Sequence, residues 1–250
     1  MPNDQAKTEV CYVTIEASEL SVIRRMCKTM GVTVHSVLET SGQIALCEMI
    51  IKKAKDNGYT TTDLSSCEDR IGINPCFRNS LSKDSPDRDN YVACHAYQFS
   101  KCINVSEWSN EERFWAFAKQ VQTHNHSQLR KSQTASQFWV KLWSLCLENP
   151  SLYRHHFDHS NNNRLTQAFT NHGDCNFLNR DLSSGVAVRG LLAGVPMVNA
   201  ALACHYITTI NNKLIWNVVY PTHLTNHQDM SHYLNRCLDI LRKHTCVSDN

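Results

Sequence analysis

Between residues 230 and 241, Met230, Tyr233, Leu234, Cys237, Leu238 and Leu241 recur at the three-and-four spacing of a single helix face. A helix with one strict apolar stripe must bury that stripe against another element. A receiving surface stands just before it in the chain. Ala201 to Ile210 and Lys213 to Tyr220 read as two strands, joined by Asn211-Asn212, a pair that tolerates the left-handed backbone of a two-residue hairpin turn. Leu214, Trp216, Val218 and Tyr220 share one face of the second strand. Asp229 in the first helical turn and Arg242, Lys243 and His244 in the last suit the helix dipole. The C-terminal part of the chain therefore predicts a helix lying on a hairpin.

The rest of the chain adds helices and strands in mixed order. Ser18 can cap a helix carrying Leu20, Ile23, Cys27 and Met30, with Arg24, Arg25 and Lys28 facing water and Gly31 as a left-handed stop. Thr33 can cap a second helix, whose apolar residues Val34, Val37, Leu38, Ile44, Ala45, Leu46, Met49 and Ile50 cover more than one face. That helix is expected at the centre of the core, closed by Lys52, Lys53, Lys55 and Asn57-Gly58. Arg70 to Arg78 reads as a short strand, Tyr91 to Val105 as one or two strands, and Leu165 to Gly173 as another. Ser109-x-x-Glu112 has the form of a capping box, opening a helix with Phe114, Phe117, Ala118 and Val121. A further helix is expected from about Thr134 to Leu147, stopped by Asn149-Pro150. The fold class is α/β, a mixed β-sheet flanked by helices.

Composition narrows the function classes. The chain has 250 residues with 42% hydrophobic and 19% charged, enough for a packed core. Lys+Arg number 25 against 23 Asp+Glu, and this balance gives no reason to expect a nucleic-acid partner. Residues 1–9 are polar and read as a disordered N-terminal segment, not as a signal peptide, with the folded domain expected over 10–246. No apolar run approaches the ~20 residues of a membrane helix. None of the 12 cysteines has C-x-x-C spacing, and several lie in apolar stretches, so they read as buried free thiols of a cytoplasmic protein. Sequons at Asn104 and Asn125 carry no meaning without translocation. There is no phosphate-binding glycine loop, zinc-ligand spacing or dinucleotide fingerprint, so no bound metal or cofactor is expected.

Several strings, taken in order, resemble a known family. Cys27-Lys28-Thr29-Met30-Gly31-Val32-Thr33-Val34-His35-Ser36-Val37-Leu38 resembles the opening of the second half of condensation-type acyltransferases. This superfamily includes chloramphenicol acetyltransferase, nonribosomal peptide condensation domains, alcohol acetyltransferases and the mycobacterial polyketide-associated acyltransferases. Ile71-Gly72-Ile73-Asn74-Pro75-Cys76-Phe77-Arg78 resembles a family strand ending in arginine, and Asn90-Tyr91-Val92 stands where the next strand begins. Thr170-Asn171-His172-Gly173 resembles the Ser-Asn-x-Gly of a strand end, and residues 212–220 followed by a helix resemble the closing hairpin and helix. The resemblance runs from about residue 10 to 245 and implies a chloramphenicol-acetyltransferase-like half-domain, nearest to the mycobacterial or alcohol acetyltransferase type.

That family works through His-His-x-x-x-Asp-Gly, whose second histidine is the general base on the acceptor. The motif does not occur in these residues; the nearest string, His155-His156-Phe157-Asp158-His159, has the wrong spacing and reads as a solvated loop. The resemblance places Asn171, His172 and Gly173 at the substrate tunnel, where Asn171 could donate to a carbonyl or oxyanion; the alternative is a turn that needs Gly173 for its backbone. It makes Arg78 a structural residue in an ion pair. His35 reads as a core or edge histidine, and Cys175 lacks the third group that would activate it with His172. Two functional readings follow. One is acyl transfer from coenzyme A or a carrier thioester to an alcohol or amine, with the partner being the missing N-terminal half or a second copy and the chain inactive by itself. The other is a non-catalytic module of the same fold that binds an acyl thioester or another protein.

Overall fold

Asn211 and Asn212 both take positive φ, 52° and 60°, and turn the chain between β5 (Ala201–Ile210) and β6 (Lys213–Pro221). Pairing runs from Ile210↔Lys213 to Cys204↔Val219, so the expected hairpin forms in the expected register. In the computed structural model, the structure describes residues 7–59, 67–73, 99–103, 110–127, 165–179, 187–194 and 201–245. The other elements are β1 (Thr8–Ile15), α1 (Ala17–Met30), α2 (Val34–Asp56), β2 (Cys67–Ile73), β3 (Phe99–Ile103), a helix α3 over residues 111–127, β4 (Leu165–Asp174) and α4 (His227–Thr245). The helix expected over 134–147 and the segments 74–98 and 155–159 lie outside the described residues.

The six strands form one sheet in the order β1-β6-β5-β4-β2-β3. The β4–β5 and β2–β4 pairs are parallel, and the other neighbours are antiparallel, so the sheet is mixed as its pattern predicts. The two strands expected around residues 70–78 and 91–105 are seen as β2, which begins three residues earlier at Cys67, and β3. The helices α1, α2 and α4 share the main core with the sheet face formed by Leu214, Trp216, Val218 and Tyr220. Among the described residues no helix is long and apolar enough to cross a membrane.

Both flanking-helix expectations hold. All six stripe residues of α4 are buried. The centre of α2 is buried on every side from Ser36 to Cys47, polar residues included. Thr33 caps α2 through its side chain on the Ser36 N–H at 3.1 Å, and Gly31 ends α1 with φ 68°. Two caps differ from expectation. Glu16, not Ser18, is the N-cap of α1, because the strand before it runs directly into the helix. Asn110 caps α3 by accepting from the Glu112 N–H at 2.8 Å.

The N-terminal boundary also needs correcting. Residues 8 and 9 belong to β1, which pairs with β6 from Thr8↔Pro221 to Ile15↔Leu214. β1 is an edge strand with one wet face. Cys11 and Ile15 point into the core, while Val10 and Tyr12 point outward. That half-polar alternation is what a one-sided strand looks like in sequence. Cys11, Cys27, Cys47, Cys175, Cys204 and Cys237 are free and buried, as expected.

A chain of buried hydrogen bonds crosses this core. The indole N–H of Trp216 donates to Nδ1 of His205 at 2.9 Å. An indole nitrogen can only donate, so Nδ1 must accept and the ring proton sits on Nε2. Nε2 lies 2.9 Å from the Tyr233 hydroxyl, which donates in turn to Gln167 Oε1 at 2.9 Å. Phe169 stacks on the His205 ring at 4.1 Å. The Phe169 ring also closes on Gly42 of α2, where an added Cβ would stand 2.7 Å from its Cζ. Glycine is needed there for closeness, not for backbone freedom.

Two outcomes follow from this packing. Leu234→Ala and Leu238→Ala should each lower unfolding free energy by about 2–5 kcal/mol, read from urea midpoints. The second concerns acid. Burial pushes the His205 pKa down to about 3, so below pH 6.5 the unfolded chain binds a proton that the folded chain refuses. Stability should therefore fall as pH drops from 6.5 towards 3. His205→Gln, which can still accept and donate, should flatten that slope by up to about 1.4 kcal/mol per pH unit. Equal slopes for the two proteins would contradict the neutral-histidine assignment.

Candidate functional site

Ligands of open α/β sheets gather at the carboxyl ends of parallel strands. Here that place is the end of β4, where Thr170-Asn171-His172-Gly173 leaves its parallel partner β5. The pairing slips between Asn171 and Gly173: Asn171 faces Ile207, but Gly173 already faces Thr208. The extra residue is a β-bulge, and Gly173 takes it up with φ 71°. An added Cβ at Gly173 would meet nothing within 4 Å, so the glycine answers a backbone demand alone.

Asn171 and His172 leave the sheet on opposite faces. Asn171 sits opposite Ile207, which belongs to the helix-side core. Its Oδ1 accepts from the Gly173 N–H at 2.8 Å, an Asx turn that fixes the side chain. Its Nδ2 donor has no partner among the described residues. His172 is exposed on the other face, roughly parallel to the Tyr206 ring at 6.2 Å, and desolvation lowers its pKa. The three residues named from the sequence are thus contiguous, but only Asn171 looks toward the helices.

Cys175 does not become a nucleophile. Its sulfur is 4.0 Å from the His172 carbonyl oxygen, and burial and then the Asp174 charge push the thiol pKa up. Arg78 and the string His155 to His159 lie outside the described residues.

The structure gives a polar setting to His35, read from the sequence as a core or edge histidine. His35, in the first turn of α2, presents its ring edge-on to Phe169 at 6.4 Å. Its Nε2 lies 3.6 Å from Oε2 of Glu39, one helical turn on. Glu39 is fully buried, and its carboxylate accepts from Gln43 Nε2 at 3.0 Å and from Asn125 Nδ2 of α3 at 2.7 Å. Asn125, noted only as a sequon, is itself buried. Burial holds the His35 pKa down to about 4, so the ring is neutral at neutral pH. The signal available in the sequence was the i, i+4 spacing of His35 and Glu39. Among the described residues, no group of three or more histidine, cysteine or acidic side chains is placed to hold a metal.

No protein-family model matches the chain, and no curated protein matches it. Solved structures do. The trichothecene 15-O-acetyltransferase TRI3 of Fusarium sporotrichioides superposes with a TM-score of 0.65 at 12% identity, over 94% of this chain and 46% of its own. The epimerization domain of the third module of tyrocidine synthetase B matches with 0.59 at 12% identity, over 98% and 50%. The EpoB cyclization-docking bidomain of Sorangium cellulosum matches with 0.53 at 11%, over 97% and 42%.

The chain shares its fold with these acetyltransferase and synthetase domains. The chain spans about half the length of these structures. At such low identity the likeness concerns the fold alone.

The Gly173 backbone gives a direct test. Gly173→Ala should lower stability by about 1 kcal/mol through its left-handed φ and loosen the Asx turn, read as faster amide exchange at Gly173 in the wild-type chain than in its β5 neighbours and faster still at Ala in the variant. An unchanged melting temperature and exchange rate would show that the bulge is not fixed as described.

Proposed function

We propose that this chain provides one wall of an acyl-transfer site, where an acyl thioester of coenzyme A or a carrier protein passes its acyl group to an alcohol or amine. The observation that carries the reading is the Asn171 side chain. An Asx turn fixes it at the end of a parallel strand, and it keeps a free Nδ2 donor on the helix side of the sheet. Such a donor, fixed before the reaction, stabilises charge that develops on a carbonyl oxygen. The acceptor oxygen or nitrogen bonds to the carbonyl carbon, the carbon–sulfur bond breaks, and the acceptor proton ends on the departing thiol. An O-acetyltransferase among the similar structures supports a hydroxyl acceptor, and synthetase domains among them support a carrier-bound donor. Within the superfamily we place the chain nearest the mycobacterial polyketide-associated and alcohol acetyltransferases, on the strings around Gly31 and Asn171.

The partner in this reading is a half-domain bearing His-His-x-x-x-Asp-Gly, or a second copy that covers the open side. Purified alone, the chain should release thiol from acetyl-coenzyme A no faster than buffer, with or without alcohol and amine acceptors. Losing a general base costs typically 10²–10⁴-fold, and an open wall also forfeits positioning. Joined to a half-domain that supplies the motif, it should turn over, and Asn171→Ala should then lower kcat by about 10²-fold. Turnover by the chain alone that vanishes in a His155→Ala/His156→Ala variant would overturn this reading.

A further inference from the structure

β1 lies at one end of the strand order, and its outer side carries a pattern of its own. An antiparallel strand turns the N–H and C=O groups of successive residues alternately to its two sides. Lys7 fixes the phase. Its carbonyl accepts from the Thr222 N–H at 2.8 Å, and its own N–H donates to the Thr222 hydroxyl at 3.1 Å. Glu9, Cys11, Val13 and Ile15 therefore direct these groups at β6 as well. Thr8 stands opposite Pro221, which has no N–H to give, as this phase requires. Val10, Tyr12 and Thr14 direct theirs away from β6, to a side where none of the described strands stands.

Native edges are commonly blunted by proline, lysine, a bulge or shortness. β1 has none of these: its eight residues pair with β6 in an unbroken register. Val10 and Tyr12 are 44% and 60% exposed on the face away from the helices, with Thr14 exposed beside them. The one charge inside the strand, Glu9, already accepts from the Tyr220 hydroxyl at 2.9 Å. A strand that fits this edge is extended, apolar at alternate outward positions and opposite in charge at its ends. β1 itself meets all three conditions. Turned antiparallel about Cys11, a second β1 sets Val10 on Tyr12 and Tyr12 on Val10, an aromatic ring against a β-branched side chain at both points. Both are hydrogen-bonded pairs in this register, because both residues direct their backbone outward. Lys7 precedes the strand and Glu16, whose carboxylate also holds Lys213 at 2.7 Å, follows it. The two-fold thus brings the cation of one copy beside the anion of the other at each end. A parallel pairing would set Glu9 on Glu9 and Lys7 on Lys7, and like charges directly opposite destabilise.

We propose that the outer edge of β1 is an interface between two copies of this chain, paired antiparallel about Cys11 so that their two sheets continue as one. The contact is isologous, each copy giving and receiving the same bonds. Its area is that of one strand edge, below the ~1,200 Å² of stable complexes, so the dimer forms and dissociates readily. β4 stands three strands further in, in the order β1-β6-β5-β4, so the pairing needs nothing from the Asn171 end and does not rest on the acyl-transfer reading.

The test takes the 250-residue chain through sedimentation equilibrium. Between about 1 µM and about 1 mM the mass should rise from one chain to two. Amide exchange reads the register. The N–H groups of Val10, Tyr12 and Thr14 should exchange fast in the dilute protein and slow by about tenfold in the dimer, while those of Cys11, Val13 and Ile15 stay slow throughout. Val10→Pro removes an outward donor and leaves the bonds to β6 in place. It should keep the fold and weaken association by about tenfold or more, because each dimer loses two hydrogen bonds. Tyr12→Lys, which puts a lysine on the edge without touching the backbone, should act in the same direction. Circular dichroism of both variants should match that of the parent. A chain that stays monomeric at the highest concentration overturns the proposal. So does a dimer in which the amides of Val10, Tyr12 and Thr14 still exchange fast, or one that both variants leave intact. Protection of those three amides in the dilute protein also overturns it, because another part of the same chain would then lie on the edge.

Discussion

The hydrogen-bond chain from Trp216 through His205 and Tyr233 to Gln167 is the interaction on which the rest of the architecture depends. It has one member on each of β4, β5, β6 and α4, and Tyr233 also reaches the Gly42 carbonyl of α2 at 3.3 Å. Apolar packing alone would let a helix slide along a sheet by small amounts at little cost. A buried chain of donors and acceptors removes that freedom, because any slip leaves polar groups without partners in a dry core. The direction of the chain is also fixed, since the indole can only donate. The register of α2 and α4 on the sheet is thereby tied to the register of the strands. Paired arginines close the periphery. Arg236 grips Glu48 of α2 with two bonds, at 2.6 and 2.9 Å, and Arg242 grips Glu19 of α1 in the same forked way, at 2.8 and 3.2 Å.

That registration is what makes the end of β4 a site. The absence of a side chain at Gly42 lets α2 close directly on Phe169 of the strand. Gln122 of α3 holds the start of α2 from outside, accepting from the Thr33 N–H at 2.6 Å and donating to the Gly31 carbonyl at 3.2 Å. Asn125, one helical turn on, reaches Glu39. The helix that supplies the carboxylate's support is thus the one that clamps the junction of α1 and α2. The bulge at Asn171 and the carboxylate-backed histidine belong to a rigid frame, which is the condition for a preorganised polar site.

How much of this the sequence disclosed depends on the kind of signal. The α4 stripe and the Asn211-Asn212 turn are local and periodic, and both elements form as read. The all-round burial of α2 was legible because its apolar residues occupy too many faces for a surface helix. β1 was not legible, because an edge strand with Val10 and Tyr12 facing outward shows only a diluted alternation after a polar start. The positions of Asn171, His172 and Gly173 at a strand end, with the first two on opposite faces by strand alternation, could be read, but not the bulge that Gly173 takes up. The support of Glu39 by Asn125 joins residues 86 positions apart, and nothing in the local pattern of either helix announces it. Pairwise polar contacts across elements are set by tertiary geometry, and a periodicity argument cannot reach them.

The pairing of β1 with β6 bears on how such a chain comes to be folded at all. Among the described strands β1 pairs with β6 alone; Lys7 and Thr222, which close the pair at one end, are 215 positions apart. On a ribosome that adds roughly 5–20 residues each second, β1 emerges some ten to forty seconds before the strand it needs. For that interval Cys11, Val13 and Ile15 have no sheet to join. The β5–β6 hairpin, closed by a two-residue turn, can form as soon as it leaves the exit tunnel, and it then offers β1 a ready edge. At this side of the sheet β1 is therefore made well before the hairpin that seats it, and its long wait is a window in which a chaperone can hold it.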